Sequence, residues 1–113
     1  MSVVQRFSEL SPARQVLVRL FQSLNFGQIQ GFAVHAGEPI LDPATAVLVE
    51  VKLDVDEGSR PEAELTDFLL QGEVRRLMAR LDGIQDGMIE RIEVRAGIPR
   101  RVIFERRLTA VPR

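Results

Sequence analysis

The sequence predicts an α+β domain: two tandem helix-strand-strand units forming a four-stranded antiparallel sheet with two helices on one face. Three observations carry that expectation. Two amphipathic stripes at helical spacing alternate with runs of Val, Ile and Leu at the two-residue spacing of strands. The stretch Val-x-Ala-Gly-x-Pro occurs at 34–39 and again at 94–99, marking the same turn twice. The 113 residues are 45% hydrophobic and 27% charged, which suits a single domain over 1–113. A chain of this length buries roughly two thirds of its unfolded surface without disulfides or metals.

Ser11 and Pro12 open the first helix as N-cap and first-turn proline, and Val16, Leu17, Leu20, Phe21 and Leu24 form its apolar stripe. Asn25 to Gly27 break that pattern, Gln28 to His35 reads as a strand, and Gly37 marks a turn. The clearest strand pattern follows: Val47, Val49, Val51, Leu53 and Val55 alternate with Leu48, Glu50, Lys52 and Asp54. Asp56 to Pro61 is an acidic turn leading, through Thr66 or Asp67 as caps, into a second helix with the stripe Phe68, Leu69, Val74, Leu77, Met78 and Leu81. Gly72 inside that stripe delays or bends the helix. Met88 to Val94 is again extended, Gly97 turns the chain, and Arg101 to about Leu108 returns.

A shift of 60 positions lays Gly27, Ile29, Val34, Ala36, Gly37 and Pro39 on Gly87, Ile89, Val94, Ala96, Gly97 and Pro99. The helix stripes align with a shift of 57, which implies a three-residue insertion near Gly83. The halves then run over about 11–58 and 59–110. Leu24, Phe26, Gly27, Ile29 and Gly37 form a helix end, a Leu-x-Phe-Gly-x-Ile stretch and a glycine turn. This unit resembles the small bacterial YezD-like proteins. The resemblance implies the helix-and-hairpin fold and brings no chemistry with it.

Several classes of chemistry find no residues here. The absence of cysteine excludes disulfides, thiolate catalysis and sulfur-ligated zinc, and points to a reducing, cytoplasmic setting. No apolar run is long enough for a membrane span, and the first residues lack the pattern of a signal peptide. His35, the one histidine, reads as an exposed polar position without a partner to activate it. The serines lack an activating base, and the glycines fit turns and do not form a phosphate cradle. Asp54-Val55-Asp56-Glu57-Gly58 reads as an acidic surface turn, because a calcium loop needs further ligands in register. The expectation is therefore no catalytic residue, no metal and no cofactor.

Charge is unevenly spread under a net of −1. Residues 38–73 hold ten acidic and two basic residues, a net of −8, whereas residues 74–113 hold ten basic and five acidic, a net of +5. With the last turn centred on Ile98, Val94 would face Val102 and Ile92 would face Phe104, while Arg95 would face Arg101 and Arg91 would face Glu105. Arg95, Arg100 and Arg101 then gather at one tip and, with Arg91 and Arg107, form a candidate site for an anion or an acidic partner. The competing view is a solvated edge whose charges deter aggregation. Strict alternation also places Ile29, Ala33, Leu48, Ile89 and Ile103 on the helix-free face, a candidate dimer face. The expected function is a small non-catalytic interaction or assembly module, a cytoplasmic homodimer with a protein partner. The alternative is a nucleic-acid-binding regulator using the arginine-rich C-terminal hairpin, against which stands the absence of Trp and Tyr platforms.

Overall fold

The computed structural model describes residues 4–54 and 64–105. Val55, the acidic turn from Asp56 to Pro61, Glu62, Arg107 and the strand end near Leu108 lie outside the described residues. Helix α1 spans Pro12–Leu24, with the Ser11 side chain accepting from the Arg14 N–H and Pro12 in the first turn. The chain continues as β1 (Gly27–His35), β2 (Glu38–Ile40) and β3 (Ala46–Val49), then α2 (Gly72–Ile84), β4 (Gly87–Arg95) and β5 (Ile98–Glu105). All described pairings are antiparallel, in the order β2-β1-β4-β5, with β3 also on β1.

The sheet has five strands where four were expected, because the outer partner of β1 comes in two pieces. Beta2 pairs with Ala33 to His35, and β3 pairs with Gly27 to Gln30. Between them the chain leaves the edge through a turn in which Thr45 N–H donates to Asp42 O and Ala44 N–H donates to the Asp42 side chain. On the other side of the sheet, β5 pairs with β4 without such an excursion, from Arg95 back to Met88. The strand expected over Val47 to Val55 stops at Val49. Its partner β1 begins at Gly27, so only Glu50 N–H to Phe26 O extends the ladder.

The buried strand residues are Ile29, Phe32 and Val34 on β1 and Ile89, Ile92 and Val94 on β4. They form one core with Leu17, Val18, Phe21 and Leu24 of α1 and Val74, Leu77, Met78 and Leu81 of α2. The alternation slips by one residue in the middle of both strands. On β1 the slip falls at Gly31, whose φ of 74° is the left-handed conformation of a bulge. On β4 it falls between Ile89 and Arg91, where the pairing with β5 also shifts. This corrects the placement of Ile29 and Ile89: both face the helices and are at most 1% exposed, so neither lies on the helix-free face.

Three further expectations are corrected. Residues 65–70 are not helical: Phe7 N–H donates to Phe68 O and Leu70 N–H to Gln5 O, making a short antiparallel cover with Phe7 stacked on Phe68. Helix α2 starts only at Gly72. The helices also need no three-residue insertion, since Pro12 and Gly72, Leu24 and Ile84, and Gly27 and Gly87 all differ by 60 positions. The expected stripe of α1 was rotated by two positions at one point, with Val18 buried and Val16 exposed.

Candidate functional site

Four surfaces could do chemistry or binding: the helix-free sheet face, two grooves between a helix and an outer strand, and the free edge of β3. The sheet face is built from every strand residue that points away from the core. Its central row is Leu48, Gln28, Glu93 and Arg101, and the next is Ala46, Gln30, Arg91 and Ile103. Ala33 lies between Ile40 and Met88 in a third row, which is the apolar end of this face. Ala33 and Ile103 are half-buried, and Leu48 is exposed.

The arginines are spread out by a register different from the expected one. The turn centres on Ala96 and Gly97, both with positive φ, so Arg95 faces Ile98, Glu93 faces Arg101 and Arg91 faces Ile103. Val102 stands opposite Ile92 and Phe104 opposite Ile89. Arg101 therefore lies 3.6 Å from Glu93 rather than beside Arg95, and Arg91 lies 3.9 Å from the same carboxylate. Arg100 turns to the helix side and donates to Glu73 at 2.8 Å. Arg95 is exposed at the strand end and makes no hydrogen bond or ion pair with another described residue. The expected tip of three arginines is thus not assembled. Such exposed pairs are each worth at most about 1 kcal/mol, so they order the surface more than they stabilise it.

His35 does have a partner: its Nδ1 lies 2.9 Å from Asp86 Oδ1, which also accepts the Ala36 N–H. The pair is exposed and lies where the β1–β2 turn meets the start of β4, so it ties two elements together. No metal-binding cluster of three or more His, Asp or Glu occurs among the described residues. No helix among them is long and apolar enough to cross a membrane.

The two grooves occupy corresponding places and differ in chemistry. One, of about 610 Å³, lies between α2 and β5 and is lined by Arg76, Ala79, Arg80, Gly83 and Phe104. The other, of about 510 Å³, lies between α1 and the β2–β3 edge and is lined by Val16, Arg19, Leu20, Ser23 and Val47. Val16, Arg19, Leu20 and Ser23 are each 60 positions before Arg76, Ala79, Arg80 and Gly83, so the helix face that carries Val16 and Leu20 in one place carries Arg76 and Arg80 in the other, where Asp86 and Glu105 line the same groove.

Beside the apolar groove runs the edge of β3. Val47, Leu48 and Val49 are 40%, 49% and 59% exposed, and the chain continues through Val51 and Leu53 at 62% and 95%. The sequence had marked this run as a strand; what it could not show is that residues 51–53 have no strand partner among the described residues. Comparison with protein-family models, with curated proteins and with solved structures finds no match for this chain.

Proposed function

We propose that this protein is a non-catalytic interaction module that works by self-association into a homodimer, in the reducing cytoplasmic setting that a cysteine-free chain favours. One observation carries the reading: Val47, Leu48 and Val49 stand exposed on a sheet edge that no described residue pairs with, next to an apolar groove, and Val51 and Leu53 follow them exposed beyond the strand. Contiguous exposed apolar surface of this kind marks an interaction site, and the commonest partner is a second copy related by a two-fold axis. Sedimentation velocity over micromolar concentrations tests it. The expected species has twice the 12.7 kDa of the chain, and a 12.7 kDa species at every concentration overturns the reading.

The same proposal includes an internal organisation of two helix-strand-strand units, about 11–58 and 59–110, set around an approximate two-fold axis between β1 and β4. Reciprocal bonds support it: Gly37 N–H donates to Gln85 O at 2.8 Å, and Gly97 N–H donates to Asn25 O at 2.9 Å. Each hairpin turn thereby caps the helix end of the other half. Asn25 and Gln85 both have φ of 61°.

The second reading, a nucleic-acid-binding regulator, rests on Arg80 and Arg95, whose side chains have no partner among the described residues, and on Arg76, which lines the groove between α2 and β5 with Arg80. It is the weaker one, because Arg91, Arg100 and Arg101 already face Glu93 and Glu73. Binding to duplex DNA that is tight at low salt and falls steeply with added salt would favour it over self-association.

A further inference from the structure

The free edge of β3 prescribes how two copies can meet. Glu50 N–H points inward to Phe26 O, and Gly27 faces Val49 in the ladder, so even-numbered residues of this segment turn their backbone groups toward β1. The N–H and C=O groups of the odd-numbered residues Val47 and Val49 therefore point outward, and those of Val51 follow wherever the strand is continued past Glu50. An antiparallel copy can pair with them only in registers that set odd residues opposite odd ones.

Charge selects among those registers. Centring the two-fold axis on Glu50 or on Lys52 sets like charges opposite each other, and centring it on Val49 sets Glu50 against Leu48. Centring it on Val51 sets Glu50 against the partner's Lys52 twice, once on each side of the axis, and sets Val49 against the partner's Leu53. The Lys52 Nζ lies 4.8 Å above the ring of Phe26, the residue whose carbonyl accepts from the Glu50 N–H. Lys52 is the only lysine in the chain, and it falls two residues from the glutamate that complements it.

Resting on the self-association reading, the geometry points to a specific interface: two copies join through antiparallel pairing of residues 49–53, which extends β3 past Val49 and opens the turn at Leu53 and Asp54, with Val51 opposite the partner's Val51 and Glu50 opposite the partner's Lys52. The pairing continues the sheet from one copy into the next. It stacks Val49, Val51 and Leu53 of both copies on the helix side, next to the grooves that Val16, Leu20 and Val47 line.

The test uses the full-length chain. Glu50→Lys alone and Lys52→Glu alone should each weaken the dimer roughly tenfold, since two symmetric pairs turn from opposite to like charge. The double reversal Glu50→Lys with Lys52→Glu should restore it. Val51→Cys introduces the sole cysteine, and paired antiparallel residues about 5.5 Å apart lie within disulfide reach. Mild oxidation should yield a reducible covalent dimer of this variant and not of Ala79→Cys on the exposed face of α2. These positions are exposed, so circular dichroism should show an unchanged fold. A dimer that ignores both single reversals and does not cross-link at position 51 overturns this interface and leaves self-association standing. A chain that is monomeric at every concentration overturns both.

Discussion

Gly27 shows how much one side chain's absence decides. Its φ is 154°, and a Cβ there would sit 2.0 Å from the Leu48 carbonyl oxygen, so only glycine lets β3 close on β1. Gly27→Ala should cost about 1–3 kcal/mol of stability, read as a lower urea midpoint, through strain and loss of the β3 contact. Gly83→Ala is the contrast: nothing lies within 4 Å of a Cβ at that site inside α2, so the change should be neutral or stabilise by up to about 1 kcal/mol. Asp67 gives a pH-dependent counterpart. The Arg6 guanidinium first, then the Ser8 amide, hold its carboxyl at about 2 against an ordinary 3.8. A depressed carboxylate contributes its stabilisation above the unfolded value and loses it as pH falls through the folded one. Stability should therefore decline between about pH 4 and pH 2, and Asp67→Asn should flatten that part of the curve. None of this was legible beforehand, because Asp67 sits in the sequence as a helix cap and its partners Arg6 and Ser8 are far away in the chain.

Elements were legible where local chemistry alone fixes them. Ser11 and Pro12 define the start of α1 whatever it packs on, and the two Ala-Gly turns reverse the chain where the repeated stretch said they would. What failed depended on neighbours. Strict alternation read from Val34 and Val94 sends Ile29 and Ile89 to the wrong face, because the left-handed backbone at Gly31 on β1 and the irregularity between Ile89 and Arg91 on β4 turn each strand over in its middle. The strongest strand pattern, from Val47 onward, lost its partner when β1 began at Gly27. The arginine tip dissolved for a related reason, since moving the turn from Ile98 to Ala96 and Gly97 re-paired every residue of the hairpin. The bulge can be tested directly. A Cβ at Gly31 meets no atom within 4 Å, so space is not at issue and the left-handed backbone alone is. Gly31→Val should destabilise by about 1–2 kcal/mol, and Gly31→Asn by clearly less, because asparagine tolerates that conformation and a β-branched residue does not. Equal losses for the two would mean that the site needs something other than its backbone angle.

At the scale of the whole molecule, the seam between β1 and β4 holds the halves together. Ile29 pairs with Ile92 and Phe32 with Ile89 across it, and Arg14 of α1 reaches over to Asp82 of α2 at 2.6 Å while bonding Gly37 O at 2.8 Å. Neither half can bury these residues alone, and a chain of roughly half this length is only marginally stable even with a core of its own. If the halves are two copies of one unit, a separate chain of residues 59–113 has such a partner in its own second copy. Replacing β1 by a second β4 turns the pair of Ile29 with Ile92 into Ile89 with the partner's Ile92, since Ile29 and Ile89 differ by 60 positions. It likewise turns Gln30 opposite Arg91 into Glu90 opposite the partner's Arg91, which adds an opposite-charge pair on each side of the axis. This half should therefore form a folded dimer, seen as strand and helix signals in circular dichroism that appear together with dimer mass in sedimentation and vanish on dilution. The first half, residues 1–58, should do so less well, because the same exchange sets Gln30 against the partner's Gly31, a position without a side chain to pair. A second half that folds as a stable monomer, or stays unfolded at high concentration, would show that β1 contributes something a second β4 cannot replace, and the two-unit organisation would fall.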